Sequence, residues 1–528
     1  MKKILLAILS GVLLTISWPT YGFPIFLFFG FVPLLLAEYQ LRTANMKKAK
    51  IFGLSFLSFF IWNIATTWWI YNSTALGMWI AVITNSLLMS TVILIYHSVA
   101  KKTTFTVSTL FLICLWMSFE YMHLHWEFSW PWLNLGNGFA DFISWVQWYE
   151  YTGTFGGTLW VWILNISIFK SILLFQKYQE KTILYRAAVK NGLLIILPLS
   201  ISLLIFYTYE EKGEDIELVV LQPNINPYTE KYNTTDQKIG ALLHKLATEK
   251  ITDSTDAVIA PETVFADNNK LKRFSYSIAK NTGQQIIENS KKAHFLGGIS
   301  MYDRFRDPRR VHSQTNIIRE NDFYDDYNSA FWVRPDGATE LYHKTKLVVG
   351  VENFPYQSIL KPIVGDAMID LGGTVAKKTT QKEREVFFTK DSLGIAPIIC
   401  YESIYGEFIT GYVRNQANIL AIITNDAWWG NTEGHRQHLA YAKLRAVETR
   451  RSIARSANTG ISAFINQKGI VLDSLSYEKQ GALRGVIKTN NEVTFYAKTG
   501  NFIPRIGLFL TLFIFLFSVT RRKKPLNI

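Results

Sequence analysis

The sequence predicts a multi-pass α-helical membrane domain joined to an α/β sandwich domain. Three observations support this: eight long apolar stretches, a central region that lacks them, and short β-branched runs within that region. Of the 528 residues, 49% are hydrophobic and only 18% are charged. Because soluble domains usually contain about 25% charged residues, this composition favours membrane segments.

The apolar stretches are long enough, or nearly so, to cross a hydrocarbon core of ~30 Å. They lie at about residues 4–18, 24–40, 51–70, 76–97, 104–121, 155–175, 191–208 and 503–520. A cleaved signal peptide is the alternative for the first stretch, which follows Lys2 and Lys3. No small-x-small cleavage site follows it, and the next apolar stretch begins within a few residues. We therefore expect eight spans.

Lysine and arginine cluster in alternate loops between these stretches. The clusters follow the second, fourth, sixth and eighth stretches, at residues 42–50, 101–102, 177–190 and 521–524. Loop 122–154 contains neither residue type and is rich in aromatic side chains, which indicates a membrane-interface belt or a lipid-handling loop. Because basic loops remain in the cytoplasm, we expect both termini there and residues 209–502 on the outer side.

The predicted domains are residues 1–208 with seven spans, residues 209–502 as the α/β domain, and residues 503–528 with the eighth span and a basic tail. The two membrane parts hold 18 Lys or Arg and 6 Asp or Glu, a charge of +12, while residues 209–502 account for the remaining +2 of the total +14. Since the polar domain has almost no basic surplus to neutralise phosphates, the sequence argues against nucleic-acid binding.

The chain has two cysteines, Cys114 in an apolar stretch and Cys400 in the polar region. Their settings argue against a structural disulfide. No cluster of Cys and His has zinc-ligand spacing, so we expect no metal site.

Residues 216–490 contain short apolar runs that predict strands. These are 216–221, 257–260, 295–299, 330–333, 395–399 and 419–424, and polar helical stretches at 234–250 and 434–452 separate some of them. Runs that are apolar on both faces are typical of buried strands. Their alternation with helices predicts an α/β sandwich.

Three reactive side chains lie at or near the ends of strands in this domain. Glu262 follows the run 257–260, where a carboxylate is well placed to act as a general base. Lys344 can stabilise the oxyanion of a tetrahedral intermediate. Cys400 follows the run 395–399 and can form an acyl thioester if a base and a cation are adjacent. Taken singly, each also fits an ordinary structural role, as a solvated charge or a buried thiol.

Taken together, these residues resemble the catalytic set of the nitrilase superfamily. A Glu after a strand, a Lys in Tyr342-His-Lys-Thr-Lys-Leu347, and the segment Cys400-Tyr-Glu402 occur in the superfamily's order. With eight spans around the domain, the whole chain resembles the bacterial apolipoprotein N-acyltransferase family. The other matching segments are Leu221-Gln-Pro-Asn-Ile225, Trp130-Pro-Trp-Leu133, Thr424-Asn-Asp-Ala-Trp-Trp-Gly430, Arg445-Ala-Val-Glu448 and Asn458-Thr-Gly460.

The resemblance implies a nitrilase-like αββα sandwich and a set of site residues. The implied catalytic residues are Glu262, Lys344 and Cys400, supported by Glu352, Tyr401 and Glu402. The expected substrate-binding residues are Tyr232, Phe354, Tyr356, Leu360, Trp428 and Trp429. Two features depart from the family: Val348-Val-Gly-Val-Glu352 replaces Val-Pro-Phe-Gly-Glu, and Tyr232 stands, with a one-residue offset, for a family tryptophan.

Residues 348–371 combine Glu352 with many apolar side chains and show no helical or strand period. Apolar side chains on a loop favour a binding surface. We expect a mobile lid that dips into the bilayer surface and guides acyl chains toward Cys400. Packing of these side chains on the domain core is the alternative.

The resemblance implies transfer of a fatty acyl group from a membrane phospholipid, through a thioester on Cys400, to the N-terminal amine of diacylglyceryl-cysteine on apolipoproteins. It places the catalytic domain in the periplasm, on the bacterial inner membrane, and requires no metal or organic cofactor. Two alternatives are a membrane-tethered nitrilase-type amidase and a non-catalytic membrane scaffold. The complete Glu, Lys and Cys set disfavours the scaffold, and the spans with their aromatic loop disfavour the amidase.

Overall fold

The polypeptide divides into two units in a computed structural model that describes residues 1–231, 233–290, 292–353, 355–356, 359 and 376–521. The first unit contains Met1–Tyr71, Ala75–Tyr209 and Thr499–Ile528. The second contains Asn72–Thr74 and Glu210–Lys498.

The first unit is helical. Its helices are α1 (Lys2–Ile16), α2 (Leu27–Gly30), α3 (Val32–Thr43), α4 (Lys48–Thr67), α5 (Ala75–Ala100), α6 (Phe105–Met122), α7 (Tyr149–Thr152), α8 (Thr154–Tyr178), α9 (Lys181–Thr208) and a C-terminal helix, Phe502–Val519. Within the described residues, seven helical segments are long and apolar enough, by length and composition, to cross a membrane. They are Pro24–Thr43, Lys48–Asn72, Ala75–Ala100, Phe105–Met122, Thr154–Tyr178, Lys181–Thr208 and Phe502–Val519.

The first predicted span differs from the other seven. The expected stretch 4–18 forms α1, which has 15 residues and ends at Ile16. Pro19 lies three residues further on, and proline disfavours helical geometry in the residue before it. At 1.5 Å per residue, α1 covers only ~22 Å, less than a typical hydrocarbon core.

The aromatic loop between α6 and α8 is packed into the first unit. Trp132 is buried, and its ring contacts those of Trp69 at 5.0 Å and Trp130 at 5.8 Å. The buried Glu120 accepts hydrogen bonds from the backbone of Leu135 at 2.8 Å and from the Thr158 hydroxyl at 2.7 Å. The loop is therefore held by specific contacts within its own unit.

The second unit contains two sheets. The first sheet is formed by β1 (Asp215–Gln222), β2 (Thr255–Ile259), β3 (Phe265–Lys270), β4 (His294–Phe305), β5 (Asn316–Arg319), β6 (Asp322–Val333), β7 (Thr339–His343) and β14 (Gly481–Lys488). The second is formed by β8 (Phe387–Phe388), β9 (Gly394–Ile399), β10 (Ile419–Thr424), β11 (Ile453–Ala457), β12 (Ser462–Ile465) and β13 (Val471–Leu475). All six predicted apolar runs coincide with these strands, except that Ala260 lies one residue beyond the end of β2.

The two sheets face each other and carry helices on their outer sides. Strand β1 contacts β11, and β6 contacts β9. Helices α10 (Asp236–Thr248) and α11 (Ile278–Ile287) contact strands of the first sheet. Helix α12 (Gly406–Arg414) contacts β9, and α13 (Glu433–Thr449) packs on α12. This is the expected αββα sandwich, and the prediction of a helical membrane domain with an α/β sandwich is confirmed.

Parallel strands place the chemistry at one end of each sheet. In the first sheet, β1, β2 and β4 are parallel, and in the second, β9, β10 and β11 are parallel. Strand β7 pairs antiparallel with β6 in a register that sets His343 opposite Ser329. The Lys344 backbone N–H therefore donates to the Asn328 carbonyl at 2.8 Å.

Candidate active site

A buried lysine joins two carboxylates just beyond the ends of β2 and β7. The Nζ atom of Lys344 lies 3.0 Å from Glu262 Oε1 and 2.9 Å from Glu352 Oε2. Only 1% of the Lys344 side chain is exposed. A charged side chain is stable in the protein interior only if an opposite charge and hydrogen bonds compensate for its loss of hydration. The predicted set of Glu262, Lys344 and Glu352 is thus brought together in space.

Asn328, in the middle of β6, connects the same carboxylates and was not predicted from the sequence. Its Nδ2 atom donates to Glu262 Oε1 and to Glu352 Oε1, both at 2.8 Å. The second oxygen of each carboxylate accepts a backbone N–H, from Asn425 at 3.2 Å and from Val348 at 3.0 Å. The one available signal was its position two residues before the predicted apolar run 330–333.

The ion pairs set the charge states of this cluster. Burial alone would lower the pKa of Lys344, but the attraction of Glu262 and Glu352 outweighs it and raises that pKa well above its usual value. Burial opposes ionisation of Glu352, yet Lys344 and the donors around that carboxylate lower its pKa. Lys344 is therefore an ammonium at physiological pH, held where an oxyanion can accept its protons.

Cys400 follows β9 in a left-handed backbone conformation with φ of +50°. The residue is buried, with 8% of its surface exposed. Burial is the largest cause that raises the pKa of its thiol, and the charge of Glu262 adds to it. Lys344 acts in the opposite direction. Both residues therefore act electrostatically on the sulfur, and Cys400 rests as a thiol that needs a base before it attacks.

Glu402 ties the end of β7 to the turn that carries Cys400. It accepts hydrogen bonds from the Tyr342 hydroxyl at 2.6 Å and from the backbone N–H groups of Thr345 at 2.7 Å and Ile399 at 2.9 Å. Burial raises the pKa of Glu402 to about 7, although these donors oppose that shift. Its oxygens therefore connect the segment that follows β7, next to Lys344, with the end of β9, next to Cys400.

The remaining predicted side chains have mixed outcomes. Tyr401 is buried with its ring edge-on to that of Tyr405 at 5.4 Å. The Trp428 ring contacts that of Tyr228 at 5.2 Å, and the Trp429 ring contacts that of His438 at 5.6 Å. Tyr356 is half-buried. The expected substrate-binding residues Tyr232, Phe354 and Leu360 lie outside the described residues.

Lys231 is a further charged residue near this cluster that sequence reasoning missed. Its Nζ atom donates to Thr263 Oγ1 at 2.6 Å and lies 5.7 Å from the centre of the Trp428 ring. Burial lowers its pKa to about 8, while the charge of Glu262 opposes the shift. Thr263 directly follows Glu262 and has a left-handed φ of +43°. Lys231 therefore stabilises the turn that contains Glu262 and Thr263.

Together, these groups supply the parts of a covalent acyl transfer. A carboxylate can take a proton, an ammonium can hold an oxyanion, and a thiol can form a thioester. Among the residues that the structure describes, no group of three or more His, Cys, Asp or Glu could hold a metal ion.

Comparisons with known proteins agree with both parts of the chain. Residues 10–167 match the apolipoprotein N-acyltransferase N-terminal domain, and residues 208–490 match the carbon-nitrogen hydrolase family. The apolipoprotein N-acyltransferase of Chlorobaculum tepidum is 24% identical, over 99% of this chain and 97% of that protein. That of Wigglesworthia glossinidia brevipalpis is 27% identical, over 98% of each.

Among solved structures, a Saccharomyces cerevisiae member of branch 10 of the nitrilase superfamily aligns with 55% of this chain and 97% of its own, at 13% identity and a TM-score of 0.37. The carbon-nitrogen hydrolase match alone spans more than half of this chain. The resemblance drawn from the motifs is confirmed. The chain belongs to the carbon-nitrogen hydrolase family, in its membrane-embedded apolipoprotein N-acyltransferase branch, and it is an N-acyltransferase.

Proposed function

We propose that this enzyme transfers a fatty acyl group from a membrane phospholipid to the N-terminal amine of diacylglyceryl-cysteine on apolipoproteins, through a thioester on Cys400. The observation that supports this most directly is the buried pair of Glu262 and Lys344, whose charges both act on the Cys400 thiol. The names of its relatives, apolipoprotein N-acyltransferases, indicate the substrate class.

In the first half-reaction, Glu262 takes the proton from the Cys400 thiol as the sulfur attacks the ester carbonyl of the phospholipid. The carbonyl oxygen becomes an oxyanion, and the Lys344 ammonium donates to it. The C–O bond to glycerol then breaks, Glu262 returns the proton to the departing oxygen, and a lysophospholipid leaves. The acyl group remains on sulfur as a thioester.

In the second half-reaction, the N-terminal amine of the lipoprotein attacks the thioester carbonyl. Glu262 accepts a proton from the nitrogen, and Lys344 again stabilises the oxyanion. The C–S bond breaks, the amide forms, and the proton passes from Glu262 to the thiolate. An amine is a sufficient nucleophile here because a thioester is far more reactive than the amide produced.

The topology that we propose follows from the loop charges. Basic residues at 42–50, 101–102, 177–190 and 521–524 favour a cytoplasmic side, so both termini would be cytoplasmic. This requires an even number of crossings and therefore a crossing by the short α1 as well. The catalytic domain would then be periplasmic, on the bacterial inner membrane, where both lipid substrates are accessible.

Supporting and substrate-binding roles are part of the proposal. Glu352 and Glu402 would fix the positions of Lys344 and Cys400, and Tyr401 would pack beside the nucleophile. Among aromatic side chains, Trp428 and Trp429 would contact acyl chains. Tyr232, Phe354, Tyr356 and Leu360 remain predicted substrate contacts, the last three as part of a lid.

Incubation of the purified enzyme with phospholipid carrying a labelled acyl chain tests this proposal. Wild-type protein should acquire label that hydroxylamine removes, and added diacylated lipoprotein should discharge it as an N-acylated product. Cys400→Ala should neither acquire label nor transfer it. Cys114→Ala is the matched control and should match wild type, because Cys114 is a buried residue of α6. Transfer by Cys400→Ala at the wild-type rate would disprove the thioester mechanism, and free fatty acid as the sole product would indicate the amidase-type use of water.

A further inference from the structure

The backbone carbonyl of Cys400 is held by two side chains that the reaction itself does not use. Ser403 Oγ donates to the Cys400 oxygen at 2.7 Å. His438 Nε2 lies 3.3 Å from the same oxygen and 2.9 Å from Ser403 Oγ. Ser403 and His438 are both 1% exposed. The carbonyl of the nucleophile is therefore fixed from inside the domain.

The hydrogen-bond directions follow from the single hydroxyl proton of Ser403. Because that proton is directed to the Cys400 oxygen, Ser403 Oγ faces His438 Nε2 with a lone pair, so Nε2 is the donor. The opposite ring nitrogen, Nδ1, lies 3.0 Å from Asp426 Oδ1 and 3.1 Å from an Arg455 guanidinium nitrogen, which can donate to it. The chain of contacts thus runs from Asp426 through His438 and Ser403 to Cys400.

Asp426 anchors this chain at its far end. Its carboxylate accepts from Thr424 Oγ1 at 2.9 Å and from an Arg455 guanidinium nitrogen at 2.7 Å. Burial would raise the pKa of Asp426, but the charges of Arg455 and His438 and their hydrogen bonds lower it below its usual value. A fully buried carboxylate with fixed donors holds the imidazole in one orientation.

Three residue types of a serine hydrolase occur here, but the geometry is not that of a second active site. Ser403 is buried, and its proton is directed to a backbone oxygen rather than to the imidazole. A serine nucleophile donates its hydrogen bond to the base that removes its proton, and its oxygen must be accessible to the substrate. The chain must therefore act on what it touches, which is the turn at Cys400.

That turn is strained. Cys400 adopts φ of +50°, a left-handed conformation that is unfavourable for residues with a Cβ atom. Such conformations persist only where the surroundings fix them, and they concentrate at functional sites. The carbonyl of Cys400 is the group whose direction changes if this conformation relaxes, and it is the group that Ser403 and His438 hold.

We propose that Ser403, His438 and Asp426 form a positioning network that locks the left-handed turn at Cys400 and aims its sulfur at the acyl carbonyl. The inference rests on the nucleophilic role proposed above for Cys400. The three residues are positioning residues, since none of them touches the reacting atoms. Relaxation of the turn would move the sulfur while leaving the acyl-chain contacts in place, so kcat should fall and KM should not change.

The test compares Ser403→Ala, His438→Ala and His438→Gln in single-turnover acylation by labelled phospholipid. We expect Ser403→Ala and His438→Ala to lower kcat about 100-fold, the loss that a misplacement of ~1 Å can cause. KM should not change in Ser403→Ala, which is the stricter test because His438 also contacts the ring of Trp429, a proposed acyl-chain contact. His438→Gln retains an N–H donor at a similar reach and should recover most of that loss. Ser403→Ala removes a single oxygen, so it also keeps the test valid if His438→Ala fails to fold.

His435→Ala is the matched control. His435 lies on the same helix, α13, is equally buried, and contacts Asn431 and Tyr477 rather than Cys400. The inference would be overturned by wild-type kcat in Ser403→Ala, by an equal loss in His435→Ala, or by His438→Gln performing no better than His438→Ala. Cys400→Ala separates the two proposals. If it retains transfer, the proposed function fails; if it is inactive while the network variants match wild type, only the positioning role fails.

Discussion

Replacing Lys344 with methionine removes one cation from between two carboxylates while nearly preserving side-chain volume. Lys344 Nζ contacts Glu262 at 3.0 Å and Glu352 at 2.9 Å. We expect two separable effects of Lys344→Met: a loss of stability from unbalanced carboxylates, and a loss of catalysis from the missing oxyanion donor.

The size of the stability effect follows from Asn328. Glu262 Oε1 and Glu352 Oε1 each lie 2.8 Å from Asn328 Nδ2, so these oxygens are at most about 5.6 Å apart, twice that distance. At an effective dielectric constant of about 20, two unit charges at this separation repel by ~3 kcal/mol. This agrees with the ~3–5 kcal/mol usually lost when one partner of a buried ion pair is removed. The catalytic effect should be ~10²–10³-fold in kcat, the usual result of deleting one oxyanion donor.

The assay measures thermal unfolding and single-turnover acylation for Lys344→Met and for the double variant Lys344→Met/Glu352→Gln. Because the second change removes one of the two repelling charges, the double variant should recover most of the lost stability. It should not recover acyl transfer, since no cation returns to the oxyanion. Lys378→Met is a matched control: it breaks another ion pair, with Asp326 at 2.9 Å, and should lower stability while retaining transfer.

Two results would refute this reasoning. If Lys344→Met loses stability but retains wild-type kcat, Lys344 only balances charge and does not stabilise the oxyanion. If the double variant regains acyl transfer together with stability, the loss in the single variant came from disorder in the site.

Three further predictions use the same site. Glu262→Gln should acquire no hydroxylamine-sensitive label, because it lacks the base; rapid full labelling would exclude that role. Because the folded-state pKa of Asp426 is lowered, its contribution to stability is present at neutral pH and is lost as the pH falls below the usual ~3.9. Thermal unfolding of Asp426→Asn should therefore depend less on pH between about 5 and 3 than wild type, and equal dependence would contradict this. Serine at Phe354, Tyr356 and Leu360 together should slow acylation by phospholipid vesicles but not reaction of Cys400 with a small soluble thiol reagent; unchanged vesicle kinetics would exclude the lid.

The sequence predicted the sandwich and the reactive residues because both leave compositional signals. Strands buried on both faces are continuous apolar runs, and the runs 395–399 and 419–424 correspond closely to β9 and β10. Covalent acyl transfer requires specific residue types, so Glu262 and Cys400 were predicted as reactive residues because each follows an apolar run, and Lys344 because of the segment Tyr342-His-Lys-Thr-Lys-Leu347. The geometry that joins them could not be predicted, since Glu262 and Lys344 are separated by 82 positions.

The residues that were not predicted from the sequence are ordinary polar residues, and only the contacts that they make in the folded structure distinguish them. Asn328 joins two carboxylates only because β6 lies between β4 and β7 in the sheet. Ser403 and His438 are ordinary polar residues until the fold places them 2.9 Å apart, although they are 35 positions apart in the chain. The end of α1 also differs from the prediction: the apolar stretch continues to Trp18, but the helix, although it has the same 15 residues in length, ends at Ile16, before Pro19.

The resting site keeps Cys400 as a protonated thiol. Burial and the charge of Glu262 raise the pKa of the Cys400 thiol, and this outweighs the opposing effect of Lys344. A thiol is far less open to oxidation than a thiolate. Lys344 meanwhile contacts Glu262 and Glu352, so its charge is balanced by two carboxylates and not by a thiolate, unlike in cysteine enzymes with a lowered thiol pKa. In the proposed mechanism, the proton would leave sulfur when an acyl carbonyl is present to receive the negative charge beside Lys344, and activation of the nucleophile would then be coupled to the arrival of the acyl donor.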